Sequence, residues 1–408
     1  MIKDTFIPAD ILLPEGISLE KWSVIACDQF SSERDYWERV RERVDGAPST
    51  LNMIIPEAYL DEIEEETEIK KISAAMDDCI KCGLLREIKD SFVYVERTQP
   101  DGRVRRGLVG VVDLEEYSFS GGEAAILASE GTVLERLPAR IRVRRAARLE
   151  LPHIMTFIDD ISETVIEPLS EKSNILPVLY DFDLMEGGGH IKGMRVTGGD
   201  ADAVMSAMRG LHMKSKTLMV MGDGNHSLAS AKVFWDELKQ NLSENGRENH
   251  PARYALAEVN NVYDPAITFE AIHRVVFDIE PTELISALEK AVPQGNDYEL
   301  RWITREKSGV INVSADCIGD MITVLQSFLD GYTKQKGGYV DYIHGEDSVS
   351  KLAQEERCLG LVIPAMNKAE LFTTVANKGV FPRKSFSVGH AKDKRYYLEC
   401  RAITTDSH

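Results

Sequence analysis

Residues 216–234, Lys-Thr-Leu-Met-Val-Met-Gly-Asp-Gly-Asn-His-Ser-Leu-Ala-Ser-Ala-Lys-Val-Phe, decide the fold at the middle of this chain. The apolar run at 218–221 has the length of a buried strand, and it stops at the turn residues Gly222-Asp223-Gly224. A helix pattern follows from Ser227, a residue type that caps helices, and its apolar side chains share one face: Leu228, Ala231 and Phe234. The stretch therefore predicts a buried strand, a tight bend at 222–227 and a helix.

The bend brings polar side chains to the start of that helix. Asp223, Asn225, His226 and Ser227 follow the strand, next to the first N–H groups of the helix. About half a positive charge collects at such a terminus and attracts anions, so the bend is a candidate for phosphate chemistry. An ordinary strand-to-helix turn, in which His226 caps or packs, fits the same residues, because a single Gly-x-Gly is a weak signal.

The composition is that of a globular protein with an acidic surface. The chain has 408 residues, of which 43% are hydrophobic, and a formal net charge of −19. The length predicts two to three domains, and the charge argues against nucleic acid or membrane partners, since both bind basic surfaces. Six scattered cysteines, no secretion signal and no long apolar run predict a cytoplasmic protein. We expect a small anionic molecule as its partner and a homodimer as a candidate assembly.

Strand and helix patterns alternate along the chain, without an internal repeat. Strands at 91–97 and 106–112 with a turn at 100–102 predict a hairpin, and 176–184 with 190–196 predict a second. Further strands are expected at 22–27, 51–55 and 395–402, and a helix is expected to begin at 153. These patterns predict an α+β (mixed α/β) fold, in which helices pack outside mixed sheets in two interleaved lobes.

The two predicted lobes share one pocket. An N-terminal α/β lobe at 1–250 carries the Gly-Asp-Gly-Asn-His-Ser turn, and a C-terminal α/β lobe at 251–408 contributes a His-Arg and a Lys-Ser element to the same pocket. The clearest candidate for a boundary lies around 243–280, where a polar, glycine-containing loop follows the helix.

Other candidates lie outside the bend. Asp28 follows the predicted strand at 22–27, as a cap or as a site carboxylate. His273 and Arg274 lie in an apolar strand, where cations are costly unless paired, so they form an ion pair or face a polar pocket. One segment is rich in arginine: Arg136, Arg140, Arg142, Arg144, Arg145 and Arg148. These side chains either form surface ion pairs or bind a phosphate or carboxylate group as a clamp.

Several of these pieces together resemble an uncharacterised prokaryotic family, known as domain of unknown function 1015. Its signature, a strand followed by Ala-Asp-Gly-His-His-Arg and a helix, is similar to 222–227. Its His-Glu-x-Thr element with a later arginine resembles 129–132 with Arg140. Its Thr-His-Arg strand resembles 272–274, and its Met-Pro-x-Lys-Ser-Thr loop resembles 381–386. Its early strand ending in Asp resembles 25–28. The resemblance thus covers nearly the whole chain.

The Asp-Gly-His-His-Arg signature is also similar to that of the ParB and sulfiredoxin superfamily, which includes free serine kinases. In that group a Gly-x-x-Arg type of turn at a helix start holds nucleotide phosphates, so the resemblance implies ATP or ADP with Mg²⁺ as cofactor. This chain has Asn225 where the signature has its first histidine, and Ser227 where it has the arginine. Because that arginine would be the main phosphate clamp, Arg140, Arg274 or Lys384 has to supply the charge.

The leading hypothesis is therefore phosphoryl transfer, or a related phosphate-ester reaction, on a small metabolite. Asp223, His226 and Glu130 would be catalytic, with His226 or Glu130 taking the proton of the acceptor hydroxyl. Asp223 would orient His226 or, with Asp28, hold Mg²⁺. The remaining residues would bind phosphate and neutralise its charge, which is most of what this reaction requires: Gly224, Asn225, Ser227, Arg140, His273, Arg274, Lys384 and Ser385.

Two other functions fit the same residues. One is a non-catalytic protein that senses a small anionic metabolite through this pocket. The other is a metal-dependent hydrolase that uses Asp28, Asp223, His226 and His273, although the sequence has no His-x-His or His-Glu-x-x-His pair.

Overall fold

The computed structural model describes residues 3–405, which divide into two compact units. Unit 1 comprises the described residues up to 128, residues 132–267 and the segment from His390 onward, and unit 2 comprises 129–131 and 268–389. The break after Ile267 lies inside the stretch 243–280 where we placed a boundary. The chain from His390 onward belongs to unit 1, whereas our C-terminal lobe ran to 408.

Within residues 3–405, unit 1 is built on an eleven-stranded mixed sheet. Nine of its strands form one continuous order, called the main path. The other two are short: Phe6–Ile7 pairs with the strand Val104–Asp113, and Ala9–Pro14 pairs with the strand Leu85–Thr98. A separate pair joins Leu149–Glu150 to Arg401–Ala402. The main path runs through nine strands in this order: Tyr117–Ser118, Ile126–Leu127, Met219–Asp223, Met155–Ile158, Tyr254–Asn261, Val104–Asp113, Leu85–Thr98, Gly189–Val196 and Val178–Leu184.

Helices of unit 1 pack against this sheet. A large apolar core joins Trp22 and Trp37 from the first two helices to Val93 and Val109 on the sheet and to Leu398 near the end of the chain. No helix among residues 3–405 has the length and apolar character to cross a bilayer. The α-helices of unit 1 are Leu19–Trp22, Arg34–Val44, Glu65–Lys81, Leu137–Ala146, Glu167–Ser170, Gly198–Lys214, Asn225–Leu238 and Glu244–Asn249.

Unit 2 has its own sheet and its own core. Phe386–Val388 pairs with one end of the long strand Phe269–Phe277, and an apolar cluster around Val275 and Val349 fills its interior. This long strand lies in a row of five hydrogen-bonded strands, in the order Ser308–Val313, Gln294–Ile303, Leu359–Val362, Phe269–Phe277 and Tyr339–His344. The α-helices of unit 2 are Pro281–Ala291, Ile318–Lys336, Glu346–Leu352 and Lys368–Lys378.

The predicted fold class is confirmed, and both predicted hairpins form. Several short apolar runs were interpreted wrongly. The predicted strand at 22–27 is only an isolated bridge from Ile25 to Tyr396, residues 50–53 form a 3-10 turn, and 155–158 is a strand where we expected a helix. The closing strand is limited to residues 401–402. The spacing of apolar residues cannot distinguish a short buried strand from a short helix. The conformation of such a run therefore depends on whether a neighbouring strand is available to pair with it.

Buried ion pairs hold the segment from His390 inside unit 1. Nε of Arg395 donates to Oε2 of Glu258 at 2.8 Å, and its Nη2 donates to Oε2 of Glu399 at 2.7 Å, with side chains at most 4% exposed. Burial by itself raises the pKa of Glu258, but the guanidinium groups of Arg105 and Arg395 outweigh it and hold this pKa below its usual value. The segment is thus fixed by charges that water does not reach.

Replacing Arg395 with methionine should destabilise the protein by about 3–5 kcal/mol, because two buried carboxylates lose their counter-charge. The matched control is Arg142→Met, which breaks an exposed pair with Glu65 and should cost far less, because solvent screens that pair. Urea unfolding followed by circular dichroism measures both. Equal costs for the two variants would contradict the central role of the buried pairs.

Stability should also fall in acid through Glu150 and Glu258. Burial raises the pKa of Glu150, but Arg401 and Arg144 more than offset burial, so both folded pKa values lie below the ordinary value of 4.5. Their contribution is complete above pH 4.5 and is lost as the pH falls through the folded pKa values. The urea midpoint of Glu258→Gln should depend less on pH below 4.5 than that of the exposed control Glu87→Gln, and equal slopes would refute this assignment.

Candidate functional site

The bend at 222–227 has the predicted geometry, with a different helix start. The strand ends at Asp223, Gly224 adopts a left-handed φ of 79°, and the helix begins at Asn225. Ser227 therefore lies in the first helical turn and is not the cap. Glycine is favoured at both positions, since a Cβ on Gly222 would lie 2.5 Å from the Phe157 ring and one on Gly224 would lie 3.1 Å from Cα of Ile154.

The acid of the bend faces a buried cation. Oδ1 of Asp223 accepts the N–H of Gly224 at 3.0 Å, and Oδ2 lies 3.4 Å from Nζ of Lys394. Among residues 3–405, Oδ2 has no hydrogen-bond donor although it is buried. Asp223 thus presents one unsatisfied acceptor beside a compensating charge.

The histidine of the bend is engaged by the backbone. Nε2 of His226 accepts the N–H of Val133 at 3.2 Å, so a neutral ring carries its proton on Nδ1. The lone pair that a general base would use at Nε2 is already in a hydrogen bond. The catalytic role that we predicted for His226 stays a prediction, and this geometry favours a structural role for its Nε2.

A cavity of about 220 Å³ opens next to the bend in unit 1. Ser227 and Ser230, on the helix that leaves the bend, line it, and so does Arg140 from the helix Leu137–Ala146. Its other polar lining includes Cys27, Glu57, Arg144, Glu150, His153 and Tyr397. The sheet order explains this meeting, because the strand that follows His153 pairs with the strand that ends at the bend.

Cys27, Asp28, His153 and Tyr397 form a polar network at the cavity. The hydroxyl of Tyr397 lies 2.8 Å from Nδ1 of His153 and accepts the N–H of Cys27 at 3.3 Å. Nε2 of His153 lies 3.7 Å from Oδ2 of Asp28. The histidine thus bridges a phenol and a carboxylate. Our sequence reasoning missed His153 and Tyr397, for which the only signals are a histidine before an apolar run and aromatic residues set among charges.

Charge and burial set the protonation of this network. Burial raises the pKa of the Cys27 thiol to about 12, and burial likewise raises that of Tyr397, so both groups stay protonated at neutral pH. Burial works to raise the pKa of Asp28 as well, but the nearby His153 and a hydrogen bond from Gln29 hold it below its usual value. Asp28 is therefore an anion beside the imidazole.

The arginine-rich segment forms the predicted ion pairs, and the clamp for phosphate or carboxylate stays a prediction. Arg140 and Arg144 line the cavity, and each of the described side chains in the segment pairs with an acid. The side chain of Arg136 lies outside the described part. The pairs are Arg140–Glu57, Arg142–Glu65, Arg144–Glu150, Arg145–Glu237 and Arg148–Asp77.

The candidates of unit 2 form a cluster of their own. Oε1 of Glu130 accepts the N–H of Ser385 at 3.3 Å. The Arg274 guanidinium and the Lys384 ammonium lie 4.5 and 4.8 Å from the ring centre of Tyr342. Burial lowers the pKa of Arg274 to about 10, which leaves it charged at neutral pH.

His273 has a structural position in unit 2. Its Nδ1 accepts the N–H of Ile363 at 3.1 Å, and its side chain is buried. Burial is also the main reason why its pKa is lowered, so the ring is neutral at physiological pH. A neutral imidazole adds no charge for binding phosphate.

The predicted site residues therefore fall into two groups. Asp28, Arg140 and residues 223–227 belong to unit 1, and Glu130, His273, Arg274, Lys384 and Ser385 belong to unit 2. Their convergence in one pocket stays a prediction. No set of three or more His, Cys, Asp or Glu side chains among residues 3–405 could hold a metal ion, so a Mg²⁺ at Asp28 and Asp223 would need ligands from substrate and water.

The chain belongs to the family described as Protein of unknown function (DUF1015), whose sequence model matches residues 12–389. The predicted family is thereby confirmed. No curated protein matches this chain.

Solved structures similar to this chain have low scores. A conserved hypothetical protein from Pyrococcus furiosus has a TM-score of 0.35 at 11% identity, covering 72% of this chain and 94% of its own. SbnI with a C-terminal truncation, from Staphylococcus aureus, has 0.38 at 8%, covering 72% and 87%. A free serine kinase in complex with AMP has 0.37 at 11%, covering 72% and 90%. The activity of this chain has to be sought in its own residues.

Gly224→Ala should destabilise the bend by about 1–2 kcal/mol, because a left-handed φ strains any residue with a Cβ. The matched control is Gly210→Ala in the helix Gly198–Lys214, where no atom lies within 4 Å of the added Cβ. That change should stabilise by up to about 1 kcal/mol through helix propensity. Urea unfolding gives both values, and a neutral Gly224→Ala variant would contradict the described backbone.

Proposed function

We propose that unit 1 is a phosphotransferase site, in which the bend at 222–227 holds the donor phosphate and the adjoining cavity holds the acceptor. The observation that carries the proposal is the meeting of Ser227, Arg140 and His153 on one cavity beside a helix N-terminus. Three separate parts of the chain supply a hydroxyl, a cation and an imidazole to the same space. Phosphoryl transfer needs this combination of charge stabilisation and a positioned base.

The donor in this proposal is the terminal phosphoryl group of ATP or ADP. The first N–H groups of the helix Asn225–Leu238 and the hydroxyl of Ser227 bind its oxygens, since a helix N-terminus favours negative charge. Mg²⁺, when bound, would neutralise phosphate charge, and the unsatisfied Oδ2 of Asp223 would supply one of the one or two carboxylates that such an ion takes.

The proton of the acceptor hydroxyl goes to His153 in this proposal rather than to His226. With its Nδ1–H directed at the Tyr397 hydroxyl, Nε2 of His153 carries the lone pair that takes the proton. The acceptor oxygen forms its bond to phosphorus while the bridging bond to the nucleotide breaks. The imidazolium that results is stabilised by Asp28, whose carboxylate lies 3.7 Å from Nε2.

A second function, non-catalytic binding of an anionic metabolite, is favoured by a specific observation. Nε2 of His226 is engaged by a backbone N–H, and Lys394 already faces Asp223. Both titratable groups of the bend therefore have structural partners. A sensor needs only the helix terminus and the cavity.

Thermal shift and turnover together test the proposal. Tm is measured with ATP and ADP, with and without Mg²⁺, because a ligand that binds only the folded protein raises Tm. Phosphate transfer is then followed with an acceptor panel of serine, glycerol and benzyl alcohol. The proposal expects a Tm rise and transfer to one acceptor. A shift without transfer supports the sensor, and no shift with any nucleotide removes phosphoryl transfer.

Paired histidine variants test the assignment of the base. His153→Gln should lower the single-turnover rate by about 10²–10⁴-fold with little change in nucleotide affinity, since proton transfer by a side chain contributes that much. His226→Gln replaces the acceptor of the Val133 N–H with an amide oxygen and should leave this rate within a small factor of wild type. A larger loss in His226→Gln than in His153→Gln would return the base to the bend.

A further inference from the structure

We infer that the acceptor in this cavity is a small, largely apolar alcohol, with an aromatic or branched aliphatic body. This inference rests on the proposed function, because it names the acceptor of the same site. It differs from our expectation from sequence, which was a small anionic partner. Three features of the cavity carry it: its walls, the pairing of its charges and its size.

Much of the cavity wall is apolar. Met53 and Ile54 come from the segment after the first long helix, Met76 from the helix Glu65–Lys81, and Val143 from the helix Leu137–Ala146. Each presents an aliphatic or thioether side chain to the cavity. Burying an apolar surface against such walls is favourable, whereas a polar body would lose its water there without a replacement.

The charges that line the cavity are already compensated. Arg140 pairs with Glu57, and Nη2 of Arg144 donates at 2.7 Å to Glu150, which also accepts from Arg401. An anionic body would have to compete with these glutamates for the two arginines. An uncharged body leaves both pairs intact.

The size of the cavity sets the size of the ligand body. Its volume of about 220 Å³ exceeds the roughly 150 Å³ of an apolar cavity that binds benzene. A ring with a short substituent therefore fits, and a whole nucleotide does not. This limit on ligand size agrees with a nucleotide donor bound at the bend and only the acceptor alcohol bound inside the cavity.

One polar group of the cavity, His153, lies beside the bend. A Cβ on Gly224 would lie 3.6 Å from Cδ2 of His153, and His153 is hydrogen-bonded to Tyr397. The hydroxyl of an alcohol bound at His153 would thus point toward the bend, with its apolar body against Met53 and Val143. An alcohol with one polar end and one apolar body therefore matches the residues that line the cavity.

Benzyl alcohol, with glycerol as the polar comparison, tests this inference on the full-length protein. Benzyl alcohol should raise Tm and glycerol at the same concentration should not. Ala139→Phe places a ring in the cavity and should weaken benzyl alcohol binding by about tenfold or more in calorimetry. The control Ala146→Phe lies on the same helix, outside this cavity, and should bind as wild type does.

Val143→Thr keeps the side-chain shape and adds a hydroxyl to the apolar wall, so it tests the same point without a bulky change. It should weaken benzyl alcohol binding, and circular dichroism verifies that both cavity variants are folded. Equal affinity of wild type, Ala139→Phe and Val143→Thr would overturn the inference, and so would glycerol binding better than benzyl alcohol. Benzyl alcohol binding without nucleotide binding would remove the phosphotransferase and leave the apolar cavity standing.

Discussion

The guanidinium group of Arg395, held between Glu258 and Glu399, is the interaction on which unit 1 depends. Two buried carboxylates repel each other unless a cation lies between them, and this arginine also donates to the backbone oxygen of Pro152 at 3.1 Å. It thereby ties the end of the chain to a strand of the main sheet and to the residue before His153. A buried, directional contact of this kind fixes positions in a way that apolar packing alone does not.

The cavity and its polar network follow from that anchor. Lys394 and Tyr397 flank the anchored residue, and they reach Asp223 and His153 respectively. The candidate site thus combines the bend in the middle of the chain with side chains from its last residues. An imidazole, a cation and a helix terminus lie close together in unit 1, and the closing segment contributes to this site although it is far away in sequence.

Local patterns in the sequence were sufficient for the strand, bend and helix at 219–238 and for the hairpin at 85–113, where turn residues and periodicity agree. The local patterns gave the wrong conformation at 155–158, since a short apolar run becomes a strand only when neighbouring strands pair with it. Among the site residues, Ser227 and Arg140 were identifiable from motif and composition. His153 and Tyr397 carry no motif, because their roles come from a contact across 244 positions.

The sequence by itself determined the family, the mixed α/β class, the acidic composition and the glycine bend, since each of these is a matter of residue type and short spacing. Only the tertiary structure decided that the closing segment is buried in unit 1 and that Arg140 and Arg144 pair with glutamates at the cavity. It likewise placed His153, rather than His226, between a phenol and a carboxylate. The physical reason is that buried charges choose their partners by proximity in space, and spacing along the chain does not encode that proximity.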